Sequence, residues 1–323
     1  MNEIQTLALP FTVLGGFLGS GKTTLLNRLL NLTKETRYAV LVNDFGELNI
    51  DERLIEAHDG ETIALANGCM CCSMADGFVS ALTAVMERAD QFDQMIVEAS
   101  GVSNPGRIMD IAKLDPGLSP NGAIVLVDAT QFLNQLNDSL IKDAVLTQVK
   151  EADILLINKA HLTDQSTLET IKETLDTQNS DCTTLINDRP VVDPGPLFGS
   201  IDTAILKRRE TLALVDKKGT AEHDHDHTHD QFHSCVLRQI KPIDRSTFES
   251  WATTLPPSVI RGKGLISFTE SPHQQWIWQK VGRTYDLESS SGASGQSSMV
   301  VLIGTKEMPV ESDPVIYGPF LKQ

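Results

Sequence analysis

The sequence predicts an α/β protein, a doubly wound and mostly parallel sheet, followed by a small C-terminal α+β domain. Three observations lead there. Short apolar runs, at Val13–Leu14, Arg37–Asn43, Phe92–Gly101, Asn121–Asp128 and Ala152–Asn158, alternate with helix-patterned stretches, as parallel strands joined by crossover helices do. The first run enters a glycine-rich turn that leads straight into a helix. Later, composition breaks sharply across KKGTAEHDHDHTHDQFH, and strand patterns then resume around a single helix. A chain of 323 residues accommodates two domains, expected at 1–213 and 234–323 with a linker at 214–233.

The first element sets the chemistry. Gly16–Thr23 reads GFLGSGKT and fits the P-loop pattern G-x-x-x-x-G-K-[ST] at every fixed position. Gly16, Gly19 and Gly21 permit backbone torsions that turn successive N–H groups, including that of Ser20, toward an anion. A helix beginning near Lys22, with Thr24 in its first turn and Leu25, Leu26, Leu29 and Leu30 as its apolar stripe, adds the positive end of its dipole. Lys22 is placed to reach the terminal phosphates, and the Thr23 hydroxyl to ligate Mg²⁺. The implied ligand is a nucleoside triphosphate.

The segment after the second strand, NDFGELNIDERLI, carries Asp44, Glu47, Asp51 and Glu52. In P-loop proteins this segment responds to the γ-phosphate, and a carboxylate such as Glu47 can approach Mg²⁺ or a second metal. Three thiols follow in NGCMCC: Cys69, Cys71 and Cys72. A closed structural zinc site needs a second pair, whereas Cys182 and Cys235 stand alone, so the cluster leaves a coordination position open. Soft thiolates select Zn²⁺, Cu⁺ or Co²⁺-like ions. Packing of one or two of these cysteines in a core is the alternative.

A helix is expected at Ala75–Arg88, then a strand ending in E-A-S-G. Glu98 falls at the edge of the Mg²⁺ shell, and Gly101 where its N–H would sense a γ-phosphate. The run at Ala152 ends in NKAHL, similar to the guanine-reading N-K-x-D loop: Asn158 and Lys159 match, while His161 stands in place of the acid. An ionised Asp accepts two hydrogen bonds from guanine; imidazole accepts one at most. Guanine preference is therefore weakened, supplied by other groups, or absent.

A further helix is expected at Gln165–Leu175. The linker carries five of the eight histidines, His223, His225, His227, His229 and His233, interleaved with Asp, a low-specificity capture site for transition metals. Beyond it, strands are expected at Ser234–Ile243, Leu265–Phe268, Gln275–Val281 and Met299–Ile303, a helix at Arg245–Thr254, and a loop at 289–298. Trp251, Trp276 and Trp278 are read as packing residues with a partner surface in view. The net charge of -16 argues against nucleic acid or an anionic membrane as partner. The N-terminus lacks signal-peptide character, and no apolar run approaches the ~18–20 residues of a membrane span, so a cytoplasmic setting with reduced thiols is expected.

Taken together, GFLGSGKTTLLN, NDFGELNID, NGCMCC, EASGVSNP, NKAHL, the His-rich junction and FESWATTLPPSVIRGKG closely resemble the CobW-like branch of the G3E family of P-loop GTPases. The resemblance implies a GTP-hydrolysing metallochaperone using GTP and Mg²⁺. Zn²⁺, or Co²⁺, would bind at the C-x-C-C with affinity coupled to nucleotide state and pass to a client metalloenzyme; homo-oligomerisation is left open. Catalysis would rest on Lys22, Glu98 and Gly101, with slow intrinsic turnover because no arginine finger or water-positioning residue stands out. Two other readings stay open: a passive metal buffer with vestigial nucleotide binding, and a P-loop enzyme acting on a small molecule with structural cysteines.

Overall fold

The computed structural model describes residues 8–32, 36–43, 62–65, 75–180, 182–187, 195–199, 232–282, 284–290, 297–309 and 313–320. They group into two compact units, Met1–Pro194 and Gly195–Gln323. Glu47, Cys69, Cys71, Cys72, His223, His225, His227 and His229 lie outside the described residues.

In the first unit, seven strands form one wholly parallel sheet: β1 (Leu9–Gly16), β2 (Tyr38–Asn43), β3 (Thr62–Leu65), β4 (Gln94–Glu98), β5 (Leu118–Asp128), β6 (Ile154–Asn158) and β7 (Thr183–Ile186). Their order is β3-β2-β4-β1-β5-β6-β7. The chain thus builds one side of β1, then crosses it between β4 and β5 to build the other. Such a reversal opens a crevice at the carboxyl ends of the central strands. Two of these strands, β3 and β7, are four residues long, too short for their pattern to register in the sequence.

Both faces of the sheet are buried. Phe11 and Val13 of β1 pack with Met95 and Val97 of β4 beneath helices α2 (Ala75–Met86) and α3 (Pro105–Leu114), which contribute Phe78, Val85, Ile108 and Met109. Helix α1 (Lys22–Leu32) buries Leu25, Leu26 and Leu29 at the expected spacing. Each such leucine contributes about 2 kcal/mol on removal from water. On the β5–β6 side, Val125, Val127, Leu155 and Ile157 meet Val145 and Val149 of α5 (Lys142–Lys150), which follows the short α4 (Phe132–Asn137). Ile171 and Leu175 of α6 (Gln165–Gln178) complete that cluster. Inside the sheet, the buried Thr12 hydroxyl accepts 2.8 Å bonds from both Gln94 Nε2 and Asn121 Nδ2, which ties β1 to its two neighbours.

Helix starts are chemically marked. Asn104 caps α3 by accepting from the N–H groups of Gly106 and Arg107, with Pro105 at the first helical position where its missing donor costs nothing. Asp164 caps α6 in the same way through Thr167 N–H. The expected strand at Phe92–Gly101 is shorter than its apolar run, because after Glu98 the chain turns out of the sheet toward the crevice.

The second unit begins with the short helix α7 (Gly195–Phe198), whose Leu197 carbonyl accepts from the buried Arg261 Nε at 2.7 Å. Residues 195–199 group with the second unit. An antiparallel sheet follows, ordered β11-β10-β9-β12-β8, from strands β8 (Phe232–Gln239), β9 (Val259–Phe268), β10 (Ser271–Val281), β11 (Thr284–Ser290) and β12 (Ser298–Thr305). β11 departs from the expectation of a loop near 289 and was missed because its TYDLESS pattern is polar, as suits an edge strand. Phe232 and His233, expected in the linker, belong to β8, where exposed His233 pairs in register with Gly304 of β12.

Helix α8 (Arg245–Thr254) lays Phe248 and Trp251 on Phe268 and Trp278. Trp251 Nε1 donates to the Ile316 carbonyl in α9 (Pro314–Tyr317). Trp276 stacks under the Arg245 guanidinium, 4.7 Å from its ring centre. The tryptophans therefore act as packing residues. Among the described residues, no helix is long and apolar enough to cross a membrane.

Candidate functional site

The crevice at the carboxyl ends of β1, β4, β5 and β6 gathers most of the expected site residues. Between β1 and α1 the backbone turns through Gly16, Gly19 and Gly21, with φ of 133°, 75° and 100°. At Gly21 a side chain is excluded twice over, by the torsion and by Asn158 Nδ2, which would lie 2.5 Å from a Cβ. The loop closes with Ser20 N–H donating to the Phe17 carbonyl. The Ser20 hydroxyl is buried with no hydrogen-bond partner among the described residues. An orphaned hydroxyl in an anion-shaped loop fits a phosphate oxygen.

Lys22 is buried and folds back over the loop, its Nζ donating to Gly16 O at 2.9 Å and Phe17 O at 3.4 Å. Both of these acceptors are neutral carbonyls, which a phosphate can outcompete. One residue on, Thr23 Oγ1 donates to Glu98 Oε1 at 2.9 Å, joining α1 to the end of β4. Parallel register makes this inevitable: Leu14 stands opposite Glu98, so the acid ends level with the P-loop. A hydroxyl and a carboxylate in contact are hard oxygen donors of the kind Mg²⁺ takes, and the pair fits that ion. Thr24, in the same turn, is exposed.

Past Glu98 the chain runs against the P-loop. A Cβ at Gly101 would lie 2.8 Å from Leu18 N, so only glycine allows this approach. The Gly101 carbonyl is anchored from α5, where buried Gln148 donates from Nε2 to Gly101 O and Ser103 O, each at 3.0 Å. Ser100 and Ser103 hydroxyls join at 2.8 Å across the same turn.

The NKAHL loop is built on the other side. Asn158 Nδ2 donates to Ser20 O at 2.8 Å, and its Oδ1 accepts from Asn187 Nδ2 at 2.8 Å. Lys159 has φ 60°, the one non-glycine residue with positive φ among those described. Such a torsion costs about 1–2 kcal/mol and persists where surroundings over-determine it. Here the Lys159 ammonium spans Gly19 O at 2.8 Å and Asp128 Oδ2 at 2.7 Å. Asp128 is buried at the end of β5, and its other oxygen accepts from the Thr130 N–H and hydroxyl. His161 sits exposed in a short 3-10 turn.

Three residues of this constellation were not singled out in the sequence: Asp128, Gln148 and Asn187. Asp128 was legible in principle, as a second acid ending an apolar run in the manner of Glu98. Gln148 and Asn187 carry no local signal; tertiary contacts alone bring them in. Among the described residues no group of three or more His, Cys, Asp or Glu side chains could hold a metal ion, and Cys182 and Cys235 are buried in separate units.

Comparison with known proteins agrees with this architecture. The CobW/HypB/UreG nucleotide-binding domain matches residues 10–185, and the cobalamin synthesis protein CobW C-terminal domain matches residues 232–312. The chain is 34% identical over 176 residues to the zinc-regulated GTPase metalloprotein activator 1 of Schizosaccharomyces pombe, covering 51% of this chain and 42% of that protein. It therefore spans less than half the length of that relative. It is 29% identical over 318 residues to the zinc chaperone YjiA of Escherichia coli, covering 93% and 95% of the two chains. The crystal structure of Zn(II)-bound YjiA GTPase from E. coli superposes with a TM-score of 0.47 at 24% identity, over 96% of this chain and 98% of that one. With family domains matched on both sides of the central junction and the P-loop complete, the chain belongs to the CobW/HypB/UreG family of P-loop GTPases.

Proposed function

We propose that this protein is a metallochaperone that hydrolyses GTP, binds zinc or cobalt as cargo at Cys69, Cys71, Cys72 and Glu47, and hands it to a client metalloenzyme in the cytoplasm. The observation that carries the nucleotide half is the Thr23–Glu98 contact at the P-loop mouth, with Gly101 pressed on Leu18 beside it. The names of the relatives support the metal half.

In this reading the P-loop amides and the Ser20 hydroxyl bind phosphate oxygens, and Lys22 exchanges the Gly16 and Phe17 carbonyls for the terminal phosphates. Thr23 and Glu98 would hold Mg²⁺, which when bound supplies positive charge to the phosphate oxygens. Gly101 N–H reports the γ-phosphate to the chain that follows β4. The cysteine cluster lies in sequence between the acidic segment after β2 and the strand β4, both expected to respond to that phosphate. A nucleotide that orders those segments changes the geometry of the thiolate site between them, and linkage requires the metal to alter nucleotide affinity by the same factor. The histidines of the junction serve as an auxiliary capture arm.

A competition titration of Zn²⁺ and Co²⁺ tests this, run on the apo protein, with Mg·GDP and with a non-hydrolysable Mg·GTP analogue. One metal should bind markedly tighter in the GTP state, and Cys71→Ser should abolish the gain. Equal metal affinity in all three states would reduce the protein to a metal buffer or to an enzyme with structural cysteines.

A further inference from the structure

The NKAHL loop lacks the acid that reads guanine in N-K-x-D loops, yet the structure places a buried hydrogen-bond acceptor next to it. Asn187 follows β7 directly and is only 5% exposed. Its backbone is stitched to the same loop on both sides: its N–H donates to Ile157 O at 2.8 Å, and its carbonyl accepts from Ala160 N–H at 3.2 Å. The side chain is equally constrained. Ser20 O can only accept, so Asn158 presents Nδ2 to it and Oδ1 to Asn187, which must answer with Nδ2. Reversing either amide would set oxygen against oxygen or nitrogen against nitrogen. Asn187 Oδ1 is left buried, with no donor among the described residues.

A buried amide oxygen without a donor is costly unless a ligand supplies one. Phosphate cannot, since it brings only acceptors. The position suits the other end of a nucleotide: β7 lies three strand places from β1, about 14 Å at normal strand spacing. Guanine offers donors at N1–H and the exocyclic N2 amine; adenine offers an acceptor at N1 and has no amine at C2.

We propose that Asn187 Oδ1 is a specificity-determining acceptor for the guanine edge, standing in for the acid that His161 replaces. The inference rests on the P-loop nucleotide site proposed above and names the group that selects its base. It also gives Asn158 a defined part, as the link through which the base-reading amide is braced against the P-loop at Ser20.

The test is a set of binding titrations on the full chain, using GDP, ADP, inosine diphosphate and N1-methylguanosine diphosphate against the unaltered protein and Asn187→Ala. Asn187→Ala should weaken GDP about tenfold more than ADP: both nucleotides share the loss of the Asn187–Asn158 bond, and GDP alone loses the buried bond at its base edge. On the unaltered protein at least one of the two guanine analogues should bind more weakly than GDP, and that deficit should vanish in the variant, as a coupled pair requires. A GDP-to-ADP ratio that Asn187→Ala leaves unchanged would overturn the inference while sparing the nucleotide site. Should the variant fail to fold, the analogues decide alone: if both bind the unaltered protein as tightly as GDP, Oδ1 reads neither donor and the proposal fails. A protein that bound neither GDP nor ADP would instead bring down the P-loop reading on which it rests.

Discussion

Replacing Gln148 by leucine should uncouple the loop after β4 from its only described side-chain anchor on α5. The two side chains are similar in volume, so the change removes hydrogen bonds without opening a large cavity. Two 3.0 Å bonds to Gly101 O and Ser103 O are lost from a site where the glutamine is 2% exposed. At about 0.5–1.5 kcal/mol for each bond, and more where a carbonyl stays buried without a donor, the loss comes to about 2–4 kcal/mol. Melting of the first unit should drop by about 4–16 °C, taking about 2–4 °C per kcal/mol. Calorimetry or far-ultraviolet dichroism reads this directly. Tryptophan fluorescence supplies an internal reference, because Trp251, Trp276 and Trp278 all belong to the second unit and should report little change. GTP hydrolysis should fall further than GDP affinity, since the freed loop carries Gly101 and not the P-loop. An unshifted melting transition with unchanged hydrolysis would refute the claim that Gln148 positions this loop.

Other perturbations address neighbouring links. Thr23→Ala deletes the hydroxyl that meets Glu98; Mg²⁺-supported hydrolysis should fall by about two orders of magnitude, while GDP affinity measured in chelator stays near its starting value. Asp128→Ala leaves the Lys159 ammonium with Gly19 O alone among its described partners, and the left-handed turn at Lys159 loses its clamp. Because Lys159 is one-third exposed, the expected loss is discounted to about 1–2 kcal/mol, or roughly tenfold in GDP affinity. Asp164 and Asp244 are helix caps whose carboxyls are held below their ordinary value, Asp164 strongly so, first by the Ser166 and Ser246 hydroxyls and then by the N–H groups of Thr167 and Thr247. A depressed carboxylate stabilises the fold at pH values above its unfolded pKa of about 4 and loses that contribution as pH falls through the folded value. Asp164→Ala and Asp244→Ala should therefore melt lower than the parent at pH 7, by a margin that shrinks steadily on acidification; a margin independent of pH would mean the caps do not act through their charge.

The motif residues were legible because their chemistry is encoded by spacing within a few positions. Gly16, Gly21, Lys22 and Thr23 must be close in sequence to build one turn and the helix after it, and the structure places them as the pattern required. Glu98 was legible for a related reason: a strand that runs parallel to β1 and ends in an acid delivers that acid to the P-loop. The parallel sheet was visible through strands of five residues or more, while β3 and β7, at four residues each, were not. In the second unit, β11 escaped because edge strands carry polar residues, and Phe232 and His233 were assigned to the linker because they adjoin a histidine-rich run.

By itself, then, the sequence determined the fold class, the glycine-rich turn between β1 and α1, the acid that ends β4 and the family, since each is written in local patterns of turn, period and charge. Only the tertiary structure decided how the site is held together. Gln148 reaches Gly101 from 47 positions away, and Asn158 reaches Ser20 from 138. Such contacts leave no mark in any short window, because a single glutamine or asparagine acquires its role from what the fold brings beside it. Burial adds a further property: Asn187 Oδ1 is enclosed and without a described donor, which belongs to the packed chain and to no residue alone.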